Sequence, residues 1–318
     1  MPIVTLNDIL ADACKHKYGV GMFDVHNLEM TNAVIDAAEE EHSPVIVALA
    51  EVHCTSVRVL EDISNIMVHA AKRATVPVCV HFDHGTQLEN CVRVMHLGFS
   101  SVMFDGSMLP YEQNVSKSAE IVRLAAIFSA SVEAELGHVG GAEGGGDDGH
   151  GMEYTDPDQS VDFVAKTGVD ALAVSIGTAH GVYREVPKLD INRLRAIRAK
   201  SSVPLVLHGG SGLSDLDFRN CIQAGISKIN IYTEIIQVAM KRINCELASP
   251  YSQGCKTVAK PTPASREELV AQLTAIIQPM LAGGGKMKYP DLMRLSTEGM
   301  KEAVKYKMRL FGSSGMAK

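Results

Sequence analysis

Four stretches of this chain close an apolar run on a residue able to hold a metal or move a proton. Val78 to Gly85 reads VCVHFDHG, a β-branched run that ends with Asp83 and His84 side by side. Ser131 to Gly137 (SVEAELG) leads to Glu135, Ala173 to Gly181 (AVSIGTAHG) to His180, and Pro204 to Gly212 (PLVLHGGSG) to His208, each with glycine close behind. Runs of this kind read as parallel strands buried on both faces, and their polar ends must lie at an open edge if acid and imidazole are to meet solvent or substrate. Three neutral imidazoles, His84, His180 and His208, can hold Zn2+ and leave a position open for substrate, the pattern of a catalytic rather than a structural site. Taken singly, each is more simply a packed rim histidine. Four strands carrying ligand-type residues at one end are hard to explain as packing. His53, His81, His138, His150 and the other histidines are read as ordinary core or surface residues.

The glycines add an anion site. HGGSG (His208 to Gly212), GTAHG (Gly177 to Gly181) and KINIYTE (Lys228 to Glu234) place backbone N–H groups and hydroxyls near helix starts, which suits a phosphate. Gly209 to Gly212 and Thr233 would then sit on adjacent strands, and Arg184 could add a positive charge, its simpler reading being a solvated surface arginine.

Such residues need elements to bring them together, and the chain supplies a regular alternation. Strands are expected at Tyr18 to Val25, Pro44 to Leu49, Pro77 to Phe82, Ser101 to Asp105, Ser131 to Glu135, Ala171 to Ser175, Pro204 to Leu207 and Lys228 to Ile231. Helical segments separate them, several closed by glycine, as at Gly98, Gly168 and Gly225. Eight βα units point to a closed (β/α)8 TIM barrel, whose active site is built from the loops after the strands. Asp24, Glu51, Asp83, His84, Asp105, Glu135, His180 and His208 all fall there. The expected organisation is one domain over residues 1 to 318, with extra C-terminal helices from about residue 249. Pro250 to Arg266 and Gly283 to Gly285 are read as surface excursions between them.

Composition narrows the function. A chain of 318 residues, 46% hydrophobic, can bury one large core. A formal charge of −7 without clustered Lys and Arg argues against nucleic acid as a partner. The 7 cysteines are odd in number and lack CxxC spacing, which fits reduced thiols in a cytoplasm. No apolar run reaches the roughly 18 residues needed to span a bilayer, and MPIVTLNDIL has no features of a targeting signal, so no membrane role is expected.

Five motifs in order, DHG, EAELGxxGGxE, GTAHGxY, HGGSG and KIN…TE, closely resemble the zinc-dependent class II ketose-bisphosphate aldolases. The resemblance covers about Thr5 to Glu246 and resumes near Met300 to Gly315. It implies a fold and a chemistry: a single barrel that cleaves tagatose- or fructose-1,6-bisphosphate to dihydroxyacetone phosphate and glyceraldehyde 3-phosphate. It also implies roles. His84, His180 and His208 would be the zinc ligands, Asp83 the group handling the proton on the C4 hydroxyl, Glu135 an acid able to bind metal in an alternative position, and Glu143 the proton shuttle of the enediolate. Gly181, Gly209, Gly210, Ser211 and Thr233 would hold the phosphate, with Arg184 beside them, and Asn230 would touch the hydroxyls. The loop from Gly140 to Asp156 holds seven glycines, enough freedom to close over the site. A monovalent cation, Na+ or K+, near the phosphate and a homodimer or homotetramer are further implications.

Departures from the family pattern bear on the substrate. Where the fructose-bisphosphate branch carries Asp two residues after the strand-8 Asn and Arg soon after, this chain has Tyr232 and Ile235 to Gln237. Tagatose-bisphosphate aldolases also lack that Asp, so the resemblance leans towards them. Asp24 stands where relatives have Asn, and a carboxylate beside a phosphate repels it unless protonated or paired. With Glu51, these positions could mark a substrate whose far end is not a phosphate. Two other classes compete: a metal-dependent hydrolase, disfavoured because no HxH follows strand 1, and an inactive sugar-phosphate-binding protein, disfavoured by the intact Asp83, Glu143 and three histidines.

Overall fold

A computed structural model describes residues 3–141, 151–183, 185–255 and 288–317. Eight parallel strands close on themselves in sequence order: β1 Val20–Asp24, β2 Val45–Ala50, β3 Val78–Gly85, β4 Ser101–Phe104, β5 Ser131–Leu136, β6 Ala171–Val174, β7 Leu205–Leu207 and β8 Ile226–Ile231. Around them run α2 Leu28–Glu40, α3 Val57–Arg73, α4 Leu88–His96, α5 Tyr111–Phe128, α6 Pro157–Thr167, α7 Ile191–Lys200, α8 Asp215–Ala224 and α9 Thr233–Cys255. The barrel is as the alternation requires.

Alternation along each strand divides the core in two. Side chains such as Phe23, Val47, Val80, Val102 and Leu172 face the helices and form the outer core. Met22, Ile46, Ala48, Cys79, Met103, Ala171, Ala173 and Val206 face the axis. One helix lies outside the βα count. α1 (Leu6–His16) turns Leu6, Ile9, Leu10 and Ala13 into the barrel's lower end against that axial set, the i, i+3, i+4, i+7 spacing of a single buried face. Its start is fixed by a reciprocal capping box between Thr5 and Asp8. Apolar packing thus fills the bottom of the axis and leaves the top for polar groups.

The last element is α10 (Tyr289–Phe311), which packs on α2 and α9 and against β1. Lys301 and Lys305 both reach Glu40, at 2.7 and 2.8 Å, and Lys307 meets Glu234 at 2.9 Å with its ammonium 4.5 Å from the centre of the Phe218 ring. The first and last βα units are tied together by this helix. α9 runs unbroken through Pro250, where a surface excursion had been expected to start; most of that segment, residues 256–287, lies outside the described residues.

Candidate active site

The upper axis carries the residues that strand ends were expected to present. In a regular strand, neighbouring side chains point to opposite faces, so Asp83 and His84 cannot both enter the barrel. β3 resolves this with an irregularity. Its register with β4 shifts between Phe82 and Gly85, and His84 takes a left-handed conformation with φ 46°, a state that costs an L-residue roughly 1–2 kcal/mol. Both side chains then face the axis, and β3 continues to Gly85, three residues beyond the expected end at Phe82. Gly85 is required because an added Cβ would lie 2.8 Å from both Met103 O and Cys91 Sγ.

His84, His180 and His208 converge. Their rings stand nearly perpendicular to one another, with centroids 4.7–5.8 Å apart, and one nitrogen from each lies within 4.8 Å of the others. On His84 and His208 the nitrogen not aimed at the shared point is already engaged. Asp105 lies 2.7 Å from His84 Nδ1 and Glu133 lies 2.9 Å from His208 Nε2, leaving His84 Nε2 and His208 Nδ1 2.9 Å apart at the centre. His180 Nε2 is buried with no hydrogen-bond partner among the described residues. A carboxylate behind each ligating imidazole is the usual support of a metal site, and a tetrahedral Zn2+ places its nitrogen ligands about 3.3 Å apart given Zn–N lengths near 2.0–2.1 Å. The donor set fits that ion.

Electrostatics keep the set ready. Burial, then the neighbouring imidazoles, lowers His180 to about 3, and burial also lowers His208 against the pull of Glu133. Both are neutral, as ligands must be. Burial alone would raise Glu133, yet the Lys228 ammonium 2.8 Å away and His208 hold it at about 2. Glu135 differs: burial and the nearby Asp105 charge push it well above the usual carboxylate range, while one of its oxygens accepts a hydrogen bond from Val139 N at 2.9 Å. Glu135 also groups with His84 and Asp105 as a second possible metal set.

Asp83 is fully buried beside the histidines. Burial works against its charge, but His84 and His81, the latter 3.6 Å away, hold it well below the usual range, so it is ionised and able to accept a proton. Asn230 Nδ2 lies 3.4 Å from both carboxylate oxygens.

The glycine motifs meet on the neighbouring side. His180, Gly181, Gly209, Gly210, Ser211, Asn230, Tyr232 and Thr233 line one small space. Gly209 has φ 65°, and a Cβ there would strike Ala179 O at 2.5 Å. Tyr183 fastens the two loops by accepting from Ala179 N at 3.0 Å and donating to Gly209 O at 2.7 Å. Ser211 Oγ accepts from Tyr232 N and Glu234 N, both at 3.2 Å, at the N-terminus of α9, where unpaired N–H groups favour an anion. Beyond His84 and His180 a cavity of about 320 Å3 opens, lined also by Glu135, His138 and Gly141. A larger cavity, about 700 Å3, lies at the opposite end against α1 and Ser227, away from every residue of this set.

Two acids singled out in the sequence have defined places. Glu51 lines the mouth cavity and accepts from Thr86 N, Thr86 Oγ1 and Asn90 at 2.6–2.7 Å, so it holds the loop after β3. Asp24 is completely buried at the end of β1. Glu143 and Arg184 lie outside the described residues. His81, read as an ordinary core histidine, and Glu133 and Lys228 also stand in the site. His81 bonds Ser101 at 2.8 Å and lies 3.6 Å from Asp83. Period-2 counting from Asp83, Glu135 and Asn230 would have placed all three on the inward face.

A (β/α)8 barrel with three convergent histidines that could hold a metal, a buried acid and a glycine-lined cradle at its C-terminal mouth has the architecture of a barrel enzyme. The model of the class II fructose-bisphosphate aldolases matches residues 4–316. A fructose-bisphosphate aldolase of Geobacillus stearothermophilus is 36% identical over 321 residues, covering 100% of this chain and 99% of that protein. A probable fructose-bisphosphate aldolase of Bacillus subtilis is 42% identical over 241 residues, 74% of this chain and 82% of its own length. The crystal structure of the YdjI aldolase of Escherichia coli K12 superposes with a TM-score of 0.78 at 36% identity, covering 99% of this chain and 100% of that one. The chain belongs to the class II fructose-bisphosphate aldolase family. It is an aldolase, a carbon–carbon lyase, of a family that is generally zinc-dependent, and among the described residues no helix is long and apolar enough to cross a membrane.

Proposed function

We propose that this aldolase cleaves the C3–C4 bond of a ketose 1-phosphate, releasing dihydroxyacetone phosphate and an aldehyde, with one Zn2+ held by His84, His180 and His208. The convergence of three imidazole nitrogens, two of them backed by carboxylates, is the observation that carries this reading. Zinc so held supplies a Lewis acid for the oxygens next to the bond that breaks. The chain's own groups do the rest. Asp83 takes the proton from the C4 hydroxyl, and Asn230, 3.4 Å away, orients that carboxylate and the hydroxyls. Gly181, Gly209, Gly210, Ser211 and Thr233 hold the phosphate through N–H and O–H donors. Glu143 carries the proton to and from C3, and Glu135, its carboxyl pushed up by burial and by Asp105, offers a second acid to the metal. Arg184 stands next to the cradle in sequence. By resemblance, Na+ or K+ near the phosphate, a homodimer or homotetramer and a cytoplasmic location complete the picture.

The family pattern gives tagatose or fructose 1,6-bisphosphate as substrates. A second reading, a ketose 1-phosphate without a distal phosphate, is favoured by one observation: among the described residues lining the two cavities at the mouth there is no Lys or Arg. The test is release of dihydroxyacetone phosphate from tagatose and fructose 1,6-bisphosphates and the matching 1-phosphates. A preference of roughly a hundredfold for fructose bisphosphate, about 2.7 kcal/mol, would overturn the second reading; absence of chelator-sensitive cleavage of every ketose phosphate would overturn the first.

A further inference from the structure

One sector of the barrel mouth is used by neither the metal ligands nor the phosphate cradle. His26 follows β1, His53 ends the 3-10 turn Glu51–His53 after β2, and Tyr232 follows β8, so three ring-bearing residues come from three neighbouring strands. Their rings form one group, with centroids 5.2 Å apart for His26 and His53, 4.7 Å for His53 and Tyr232, and 6.1 Å for His26 and Tyr232. Tyr232 also lines the cradle beside Gly181, Ser211 and Thr233. Asn230, which lines the same cradle as Tyr232, lies 3.4 Å from both carboxylate oxygens of Asp83. The group therefore reaches from the phosphate end of a bound substrate to the acid at the bond that breaks, and carbons beyond C4 have this sector to enter. On the other side of the mouth, Asp105 and Glu135 are occupied with His84 and with Val139 N.

The chemistry of the group is specific. His26 Nδ1 and His53 Nε2 are shielded from solvent, yet neither has a hydrogen-bond partner among the described residues. A buried polar atom left unpaired costs about 1–3 kcal/mol, a cost that a substrate group can remove. Burial keeps both rings neutral, lowering His26 and bringing His53 to about 4 with help from His26. A neutral imidazole offers one donor and one acceptor, which matches a hydroxyl. A phosphate offers acceptors only and is held by cations or by several N–H groups.

We propose that His26, His53 and Tyr232 form the binding site of the departing aldehyde and select one whose far end carries neutral hydroxyl groups in place of a phosphate. The proposal rests on the aldolase reading and names the substrate class at its far end. It is tested in the condensation direction with the zinc-loaded enzyme, dihydroxyacetone phosphate and four aldehydes: glycolaldehyde, glyceraldehyde, erythrose and glyceraldehyde 3-phosphate. The expected result is a kcat/KM for glyceraldehyde or erythrose at least about tenfold above that for glyceraldehyde 3-phosphate. In His53→Ala and in Tyr232→Phe, which keeps the ring and removes only the hydroxyl, the ratio of kcat/KM for erythrose to that for glycolaldehyde should fall roughly tenfold, mainly through KM for erythrose. A merely structural role would leave that ratio alone. Preference for glyceraldehyde 3-phosphate, or an unchanged ratio in Tyr232→Phe, overturns the proposal. Exchange of the C3 proton of dihydroxyacetone phosphate with no product from neutral aldehydes overturns it while sparing the aldolase reading; no exchange and no product with any aldehyde overturns both.

Discussion

His84 Nδ1 lies 2.7 Å from an Asp105 carboxylate oxygen, and this bond decides which nitrogen of His84 faces the metal position. With Nδ1 donating to Asp105, Nε2 carries the lone pair toward His208. Asp105→Ala frees the ring to rotate and removes the negative charge behind it. Zinc affinity should fall about 10–100-fold, read by competition with a chromogenic chelator. His208→Ala removes a ligand outright and should abolish both zinc binding and cleavage while the barrel stays folded; stoichiometric zinc in that variant would sink the assignment.

Asp83 and Glu143 are separable by half-reaction. Asp83→Ala should keep zinc and lose cleavage on the order of 10²–10⁴-fold, yet still exchange the C3 proton of dihydroxyacetone phosphate in deuterated water. Loss of exchange in Asp83→Ala together with retention in Glu143→Ala would reverse their roles.

Lys228 and Glu133 form an ion pair with no exposure to solvent. Removing one charge strands the other, so Lys228→Met should destabilise the protein by about 3–5 kcal/mol, measured by denaturant unfolding. Adding Glu133→Gln neutralises the stranded charge and should recover much of the loss. An additive double variant would mean that the two do not act as a pair.

Acid should destabilise the zinc-free protein before carboxylates titrate. His26, His53, His81, His180 and His208 all have lowered values, His53 to about 4 and His180 to about 3. Between the unfolded value near 6.5 and those folded values the unfolded chain binds more protons, so stability is full above 6.5 and is lost as pH falls. Glu135, with its raised value, works the other way over part of that range, one group against five. The melting temperature should drop from pH 7 to 5, with a shallower slope in His53→Gln. A flat profile would contradict the burial of these rings.

Strand count and the three metal-type histidines were legible because each strand is a short apolar run closed by a polar residue, and closure of the barrel makes sequence distance irrelevant. α1 stands outside the βα period: Thr5 and Asp8 announce its capping box, but the helix serves the lower end of the axis, which the alternation of strands and helices does not reveal. Glu133 and Lys228 hid inside strands read only at their ends. The partners of Glu51, Thr86 and Asn90, lie 35 and 39 residues away, so its hold on the loop after β3 has no local signature. The turn of His84 into the barrel has no sequence signature beyond the Gly that follows it.

That turn has an evolutionary cost. Metal binding and proton transfer, which in principle could be tuned at separate positions, hang on one two-residue bend backed by Gly85, where any side chain would meet Met103 O and Cys91 Sγ. A single substitution at Gly85 should therefore silence both functions at once. Neither can be transplanted to another barrel strand, or drift within this one, without carrying the other along.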